Sequence, residues 1–266
     1  MKDRQDNLNP KIIQERLGAS LFSEHLVFNE SLNSTNLLAK KMAGEGAPEG
    51  TVVSTEVQTQ GRGRRDRKWV SPGHVNLMFS VILRPSFDPE RVFDLTVILS
   101  LAAIKAIKIT TGCRPMIKWP NDLYLGVKKL AGILSEISLS KKDLEYVVLG
   151  MGINVNWHPE GDDPDMRPST SLSEEIGKKV NRNELLAGIL KNLEAYYHRL
   201  SLGDRADFYK KWNDYSMILG RKIEIVSASS VEKGTALRID QRGGLIVRDE
   251  RGQEKTILAG DVSIRF

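Results

Sequence analysis

A short segment rich in arginine and glycine, residues 61–69 (GRGRRDRKW), constrains this chain more than any other. It holds five cations, two glycines and one tryptophan, with Asp66 as its single acid. No apolar period runs through it, so we predict a loop rather than a core strand or an amphipathic helix. Glycine lets the backbone approach a ligand closely, and arginine offers paired donors that match carboxylate and phosphate oxygens. An anion-binding loop, a solvated charge run and a nucleic-acid arm all remain open from this segment alone.

Composition narrows the class of protein. The 266 residues include 39 Lys and Arg against 34 Asp and Glu, a net charge of +5 that is too small to indicate nucleic-acid binding but fits an anionic ligand or an acidic partner. The single cysteine, Cys113, has no partner for a disulfide and no metal-ligand companions, which indicates a reducing compartment. The polar N-terminus lacks a signal-peptide core, and no apolar run approaches the roughly 18–20 residues that span a bilayer. We expect a cytoplasmic protein without membrane attachment.

Apolar periodicity divides the chain into a larger first part and a smaller last part. We predict that residues 1–22 form a lead-in with one short helix. Residues 23–216 alternate hairpins with helices, which indicates an α+β domain with a mixed β-sheet and helices on one of its faces. Within this part, the polar residues 29–33 predict a turn. In residues 217–266, five short β-rich runs separated by glycines predict a small β-barrel.

Residues 118–122 (KWPND) follow a short apolar strand and are predicted to form a turn. The turn presents the amide of Asn121 and the carboxylate of Asp122. Beside a cationic loop, such a carboxylate suits a magnesium ion that bridges nucleotide phosphates. The simpler alternative is an ordinary turn, because Asn and Asp form turns for local reasons.

Two further segments contain glycines at positions predicted to lie in strands. In residues 128–134 (KKLAGIL), Lys129 opens an apolar strand and Gly132 lies inside it, a costly place for glycine unless a ligand approaches the backbone. A lysine at a strand entrance is often simply solvated. Residues 150–156 (GMGINVN) lack the spacing and the βαβ context of a dinucleotide fingerprint. We expect the strand backbone and the Asn154 amide to face a ligand there.

Several familiar catalytic, metal-binding and nucleotide-binding motifs are absent from the sequence. It contains no HExxH, CxxC, GxxxxGK[ST] or GxSxG. Because no nucleophile and base are evident, we favour direct attack of one substrate on another over a covalent enzyme intermediate.

Taken together and in order, these segments resemble the biotin protein ligases. The matching segments are STN at 34–36, Gln58, the arginine loop at 61–69, KWPND at 118–122, KLAGI at 129–133 and GIN at 152–154. The resemblance runs from about residue 22 to the C-terminus, and the combination of the loop with KWPND and KLAGI is highly specific. It implies a catalytic domain of the class II aminoacyl-tRNA-synthetase and biotin-ligase type, followed by a small SH3-like β-barrel.

The resemblance also implies an activity. Enzymes of this family join biotin to ATP as biotinyl-5′-AMP and release pyrophosphate. They then transfer the biotinyl group to one lysine of a biotin carboxyl carrier protein, a subunit of acetyl-CoA carboxylase or a related carboxylase. The implied cofactor is Mg²⁺, the implied substrates are biotin and ATP, and family members often form homodimers through the sheet edge.

Residue roles follow from the same resemblance. The implied biotin-binding residues are Ser34, Thr35, Asn36, Gln58, Arg62, Gly63, Arg64, Lys129 and Gly132. The implied nucleotide-binding residues are Arg64, Arg67, Trp69, Lys118, Asn121 and Asn154, with Asp122 as the magnesium ligand. Lys129 and Arg64 are the implied catalytic residues, because they would offset the repulsion between the biotin carboxylate and the α-phosphate. A closing loop would keep water from the reactive adenylate.

Two departures from the family pattern bear on these expectations. Asp66 stands where the loop commonly has glycine, which lowers the local positive charge; we expect the activity to survive. Some family members carry an N-terminal helix-turn-helix domain and repress transcription. The roughly 25 residues before the catalytic part are too few for such a domain, so we predict a ligase that does not bind DNA.

Two alternatives remain open at this stage. A lipoate ligase or lipoyl transferase shares the catalytic architecture, although the arginine-rich loop favours biotin. A nucleic-acid-binding module would use residues 62–68 as a phosphate patch. That module would need interleaved aromatic residues and a strongly basic surface, whereas Trp69 is the only aromatic residue near the patch.

Overall fold

The computed structural model describes residues 7–65, 67–141, 143–157, 168–226, 231–258 and 260–264, with only the backbone at 261, 263 and 264. Asp66, the departure in the loop, lies outside the described residues. In chain order the α-helices and β-strands are α1 (Pro10–Leu17), β1 (Leu26–Leu32), α2 (Thr35–Gly44), β2 (Val52–Gln58), β3 (Leu77–Leu83), α3 (Phe93–Thr111), β4 (Met116–Lys118), β5 (Asp122–Leu125), β6 (Lys128–Ser140), β7 (Asp143–Ile153), α4 (Leu172–Ile176), α5 (Arg182–Ser201), α6 (Arg205–Asp214), β8 (Lys222–Val226), β9 (Val231–Ile239), β10 (Leu245–Arg248), β11 (Glu254–Ile257) and β12 (Asp261–Ile264). No helix in these ranges is long and apolar enough to cross a membrane.

Among the described residues, seven strands of the larger part form a mixed sheet in the order β1-β2-β3-β7-β6-β5-β4. Strands β1 and β2 run parallel, and the remaining neighbours are antiparallel. The turn predicted over residues 29–33 is wrong, because β1 continues to Leu32. Asn29 pairs with Thr55 and Ser31 with Val57 in the parallel register. Pairing with β2 therefore overrides the local turn preference of these polar residues.

Helices cover both faces of this sheet, so the prediction of helices on one face is wrong. Along β7, Leu149 joins the main core, which also contains the buried faces of α3 and α5. Its neighbour Val148 joins a second core with Ala39 and Ala43 of α2. Successive strand residues point to opposite faces, so the strand must be apolar on both sides. The α+β class with a mixed sheet is confirmed.

A buried ion pair fixes the end of β2. Arg182, at the start of α5, places Nη1 2.5 Å from Glu56 Oε2, and both side chains are fully buried. The same guanidinium donates to the Asn76 carbonyl at 3.0 Å, and the Leu8 amide donates to Glu56 Oε1 at 2.6 Å. These bonds satisfy a charge pair that burial would otherwise penalise. The end of β2, which leads to Gln58 and the arginine loop, is thereby tied to the helical layer.

The last part of the chain forms a second sheet. Its described strands run in the order β11-β10-β9-β8-β12, and all pairs are antiparallel. The buried residues of these strands include Ile223, Ile225, Ala236, Leu245 and Val247. This is the small barrel-like unit that the sequence predicts. The domain bounds stay predictions; α6 ends at Asp214 and β8 begins at Lys222.

Strand β4 and Trp119 join the segment 118–122 to the C-terminal part of the chain. The Ile117 amide donates to the Tyr215 carbonyl at 2.8 Å, and the Met217 amide donates to the Ile117 carbonyl at 2.9 Å. The buried indole of Trp119 donates through Nε1 to the Gly243 carbonyl at 2.9 Å. The turn that follows Trp119 is therefore held from behind by the C-terminal part of the chain.

Gly243 also packs closely against the ring of Phe93, and its replacement provides a test. Its φ is +80°, and a Cβ there would lie 2.3 Å from the Phe93 ring. An alanine in the left-handed backbone conformation costs about 1–2 kcal/mol by itself. We expect Gly243→Ala to lower the free energy of unfolding by more than this, because its Cβ would also overlap the Phe93 ring. Gly252→Ala is the matched control, because Gly252 has φ +81° with open space around it. Denaturant unfolding of both variants measures the difference; equal losses would contradict a rigid contact with Phe93.

Candidate active site

A pocket lies between the arginine loop, the start of α2 and strands β6 and β7. All the predicted site residues line it except Lys118 and Asn154. Six other lining residues were not among the individually predicted site residues: Lys68, Ile133, Leu134, Gly150, Met151 and Gly152. The glycines of GMGIN were the available signal for three of these, since that segment was expected to face a ligand. Residues more than 100 positions apart in the chain thus meet at one site.

The start of α2 supplies a neutral, hydrogen-bonded wall. The Thr35 amide donates to Gln58 Oε1 at 2.8 Å, and the Thr35 hydroxyl donates to the same oxygen at 3.2 Å. Ser80 Oγ lies 2.6 Å from Asn36 Oδ1 and 2.8 Å from Thr35 Oγ1. Ser34 occupies the N-cap position of α2, but its side chain makes no capping hydrogen bond. The wall is polar, uncharged and fixed before any ligand enters.

The described residues of the arginine loop, 61–65 and 67–69, pair with each other as a short hairpin, which we call the arginine hairpin. The Gly63 amide donates to the Arg67 carbonyl at 2.7 Å, and the Trp69 amide donates to the Gly61 carbonyl at 2.9 Å. A Cβ at Gly61 would lie 2.3 Å from the Trp69 carbonyl oxygen, so only glycine allows this pairing. The described part of the loop therefore has a defined backbone, and Arg62, Arg64 and Arg67 line the pocket.

The indole of Trp69 lies against the strands at positions where they carry no side chain. A Cβ at Gly152 would be 2.5 Å from Trp69 Cε2, and a Cβ at Gly132 would be 3.5 Å from Cζ3. Lys129 Nζ lies 5.9 Å from the ring centroid, within range of a cation–π contact. Trp69 Nε1 is buried and has no hydrogen-bond partner among the described residues. The indole thus forms a flat wall with an unused donor.

The cationic side of the pocket centres on the turn of the KWPND segment. Lys129 Nζ lies 2.7 Å from Asp122 Oδ1. Arg64 Nη1 donates to Asn121 Oδ1 at 3.2 Å, and Asn121 Nδ2 donates to the Ile133 carbonyl at 2.5 Å. The β5–β6 hairpin creates this arrangement, because it pairs Asp122 with Gly132. The two predicted catalytic cations therefore converge on one turn.

Lys118 and Asn154 lie outside the pocket lining. Lys118 Nζ sits 5.0 Å from the centroid of the Tyr124 ring. Asn154 is buried, and its Nδ2 donates to the Thr170 carbonyl at 3.0 Å. Its Oδ1 has no hydrogen-bond partner in the part of the chain that the structure describes. A buried acceptor without a partner is costly, so Asn154 keeps a free position for a donor. The nucleotide-binding roles predicted for both residues stay predictions.

Asp122 supplies the one carboxylate among the described residues that line the pocket, and it is the candidate metal ligand. Within the described ranges, no three His, Cys, Asp or Glu side chains come together as a metal site. Magnesium commonly takes one or two protein carboxylates and completes its shell with water and substrate phosphates. A single aspartate beside two cationic side chains fits an ion that arrives with a nucleotide better than a resident metal centre.

Known proteins match this chain in sequence and in fold. The model of the biotin/lipoate A/B protein ligase family matches residues 28–154, which contain every predicted site residue. The bifunctional ligase/repressor BirA of Bacillus subtilis is 31% identical over 97% of this chain and 79% of its own length. The biotin–[acetyl-CoA-carboxylase] ligase of Mycobacterium tuberculosis is also 31% identical, over 98% of each chain.

Among solved structures, the biotin protein ligase from Aquifex aeolicus in complex with biotin and ATP matches with a TM-score of 0.77. The identity is 30%, and the match covers 91% of this chain and 99% of that one. Similarity of this extent in sequence and in fold, over nearly whole chains, means that the protein belongs to the biotin protein ligase family.

Proposed function

We propose that this protein is an ATP-dependent biotin protein ligase. It activates biotin as biotinyl-5′-AMP with release of pyrophosphate, and then transfers biotin to a lysine of a biotin carboxyl carrier protein. The observation that carries the proposal is a single pocket with a neutral wall at Thr35 and Asn36 and a cationic side at Arg64 and Lys129. The relatives support it by name, since the Mycobacterium enzyme is an acetyl-CoA-carboxylase ligase and the Aquifex structure contains biotin and ATP.

The two sides of the pocket suit the two ends of biotin. The head group of biotin is uncharged and offers both donors and acceptors, which the amide and hydroxyl groups of Ser34, Thr35, Asn36 and Gln58 complement. The carboxylate at the other end would then point toward Lys129. This orientation brings the reacting oxygen to the cationic side, where a nucleotide phosphate would also bind.

In the first step, a carboxylate oxygen of biotin attacks the α-phosphorus of ATP. A new oxygen–phosphorus bond forms, and the bond to the pyrophosphate oxygen breaks. Arg64 and Lys129 would offset the repulsion between the two anions and stabilise the charge that develops in the transition state. Asp122 would hold Mg²⁺ together with phosphate oxygens, and the bound ion would supply further charge neutralisation. Trp69 would form one wall of the nucleotide side.

In the second step, the carrier lysine attacks the carbonyl carbon of the adenylate. An amide bond forms, and AMP leaves. The intermediate is a reactive mixed anhydride, so it must be kept from water between the two steps. The arginine hairpin, at the rim of the pocket, is suited to this covering role.

The proposal includes the setting of the reaction. The partner is a carrier subunit of acetyl-CoA carboxylase or a related carboxylase, the location is the cytoplasm, and DNA is not a target. The modest net charge of +5 and the single Cys113 support these statements. Among the described strands, β1 lies at an edge of the large sheet, and this edge position supports a homodimer as a further proposal.

The direct test uses the purified protein with ATP, Mg²⁺ and either biotin or lipoate, without an acceptor. We expect mass spectrometry to show biotinyl-5′-AMP and pyrophosphate, and no product when a chelator removes Mg²⁺. A lipoyl-adenylate in place of biotinyl-5′-AMP would keep the adenylation chemistry and overturn the substrate. If neither adenylate forms, the proposal as a whole is overturned.

Neighbouring lysines provide a matched test of the catalytic side. Lys129→Ala should lower the adenylation rate by about 10²-fold or more, because it removes a cation next to the reacting groups. Lys128→Ala should retain the activity, since Lys128 Nζ pairs with Glu174 at 3.1 Å and does not line the pocket. Pyrophosphate release measures the rates, and thermal denaturation checks folding. A near-normal rate in folded Lys129→Ala would remove this lysine from the mechanism.

The glycine beneath Trp69 tests the nucleotide side. Gly152→Ala would place a Cβ 2.5 Å from the indole, so Trp69 must shift. Because small displacements of substrate-positioning groups are costly, we expect the ATP KM to rise about tenfold or more. The control is Gly188→Ala in α5, where the added Cβ would make an ordinary 3.5 Å contact with Ala106. Steady-state kinetics with varied ATP give the comparison, and an unchanged ATP KM in Gly152→Ala would separate Trp69 from nucleotide binding.

A further inference from the structure

Glu136, on β6, has a position that neither the sequence interpretation nor the pocket lining explains. Its side chain is only 17% exposed. Oε2 accepts a hydrogen bond from Asn36 Nδ2 at 3.0 Å. Oε1 lies 3.7 Å from Arg62 Nη1 and 3.7 Å from Lys40 Nζ. One carboxylate therefore contacts the start of α2 and the base of the arginine hairpin.

The first contact fixes a side chain of the biotin-binding wall. Asn36 is buried, and its Nδ2 also donates to the Leu134 carbonyl at 3.2 Å. On its other side, Asn36 Oδ1 accepts from Ser80 Oγ at 2.6 Å. If the Asn36 amide were flipped, Nδ2 would face Ser80 and Oδ1 would face the Glu136 carboxylate. Two hydrogen-bond acceptors would then face each other. Glu136 thus selects one orientation of the Asn36 amide.

The second contact concerns the hairpin. Arg62 is the first arginine of the segment 61–69, and its side chain is 44% exposed. An ion pair between two exposed groups would contribute little. Here the carboxylate is mostly buried, so it is less screened by water and attracts the guanidinium more strongly. This attraction holds the base of the hairpin toward β6 and α2.

We propose that Glu136 is a positioning residue that joins the biotin-binding wall to the arginine hairpin. It acts through Asn36 and Arg62 and touches neither substrate nor the reacting atoms. The inference rests on the proposed function. Its consequence is that loss of the Glu136 charge loosens the hairpin cover, while Lys129 and Asp122, which act on the reacting groups, keep their contact.

Glu136→Gln tests this inference because it removes the charge and keeps the shape. The glutamine oxygen can still accept from Asn36, but the attraction for Arg62 is lost. We expect the biotin KM and the rate of escape of biotinyl-5′-AMP into solution each to rise about tenfold, as for a lost charged contact. The kcat and the ATP KM should stay within about twofold of the parent. Unchanged biotin KM and unchanged escape would overturn the inference.

A control and a second variant separate this role from a general one. Glu45→Gln makes the same change of net charge at an exposed residue that pairs with Lys41 at 3.9 Å, and it should change neither quantity. Arg62→Gln should raise adenylate escape by itself. In the double variant, Glu136→Gln should then add less than about twofold, because coupled residues are not additive. Effects that simply multiply would overturn the link through Arg62. Unchanged adenylate escape in Arg62→Gln would also overturn it, even if Glu136→Gln does not fold.

Hydrogen exchange provides a test that does not depend on the activity. The amides of Gly63 and Trp69 donate the hydrogen bonds that close the hairpin. Without any substrate, their exchange should be about tenfold faster in Glu136→Gln than in the parent, with Glu45→Gln unchanged. Equal exchange in the parent and in Glu136→Gln would overturn the tie between Glu136 and the hairpin. Absence of biotinyl-5′-AMP in the parent would instead overturn the proposed function. The hydrogen-exchange comparison would still test the contact between Glu136 and the hairpin.

Discussion

The close approach of two side chains to the bare backbone of β7 is the constraint on which the pocket depends. A Cβ at Gly150 would lie 1.8 Å from Asn36 Oδ1, and a Cβ at Gly152 would lie 2.5 Å from the indole of Trp69. Glycine at these positions lets the start of α2 and the arginine hairpin meet over the same strand. A side chain at either position would force one wall of the pocket away from the sheet, because interiors tolerate little overlap.

The distribution of charge follows from this meeting. Asn36 brings the neutral wall over Gly150, and Trp69 brings the hairpin over Gly152, two residues further along the same face of β7. Among the described lining residues, Asp122 is the only carboxylate, and it lies 2.7 Å from Lys129. The cations are therefore oriented by the fold before any phosphate or carboxylate arrives. Such preorganisation is effective because the groups need not rearrange when charge develops.

Features that depend on a short segment of sequence were easier to predict than features that depend on contacts between distant segments. The segments 61–69, 118–122 and 129–133 each show unusual residues at short spacing, and the pocket brings all three together. The continuation of β1 through Asn29 was missed because a parallel partner, distant in sequence, makes it a strand. Helices on both faces were missed because the apolar positions of α2 do not reveal which side of the sheet they cover.

Long sequence separation also explains the site residues that were missed. Ser80 is 44 positions from Asn36, and Asn36 is 100 positions from Glu136. A serine or a glutamate in a strand gives no local sign of such a contact. Gly150 and Gly152 did indicate a close approach to the backbone, because glycine is unusual inside a strand. We interpreted that approach as the approach of a ligand. In the structure, side chains of the protein itself occupy the space above them.

The turn at Asn121 and Asp122 depends on contacts from two directions. From the pocket, Arg64 and Lys129 bind its side chains. From behind, the strand that leads into it is paired with the segment 215–217, and Trp119 donates to Gly243 of the second sheet. A shift of that sheet would therefore move the turn relative to the two cations. The C-terminal part thus belongs to the structural support of the pocket, although none of its described residues lines it.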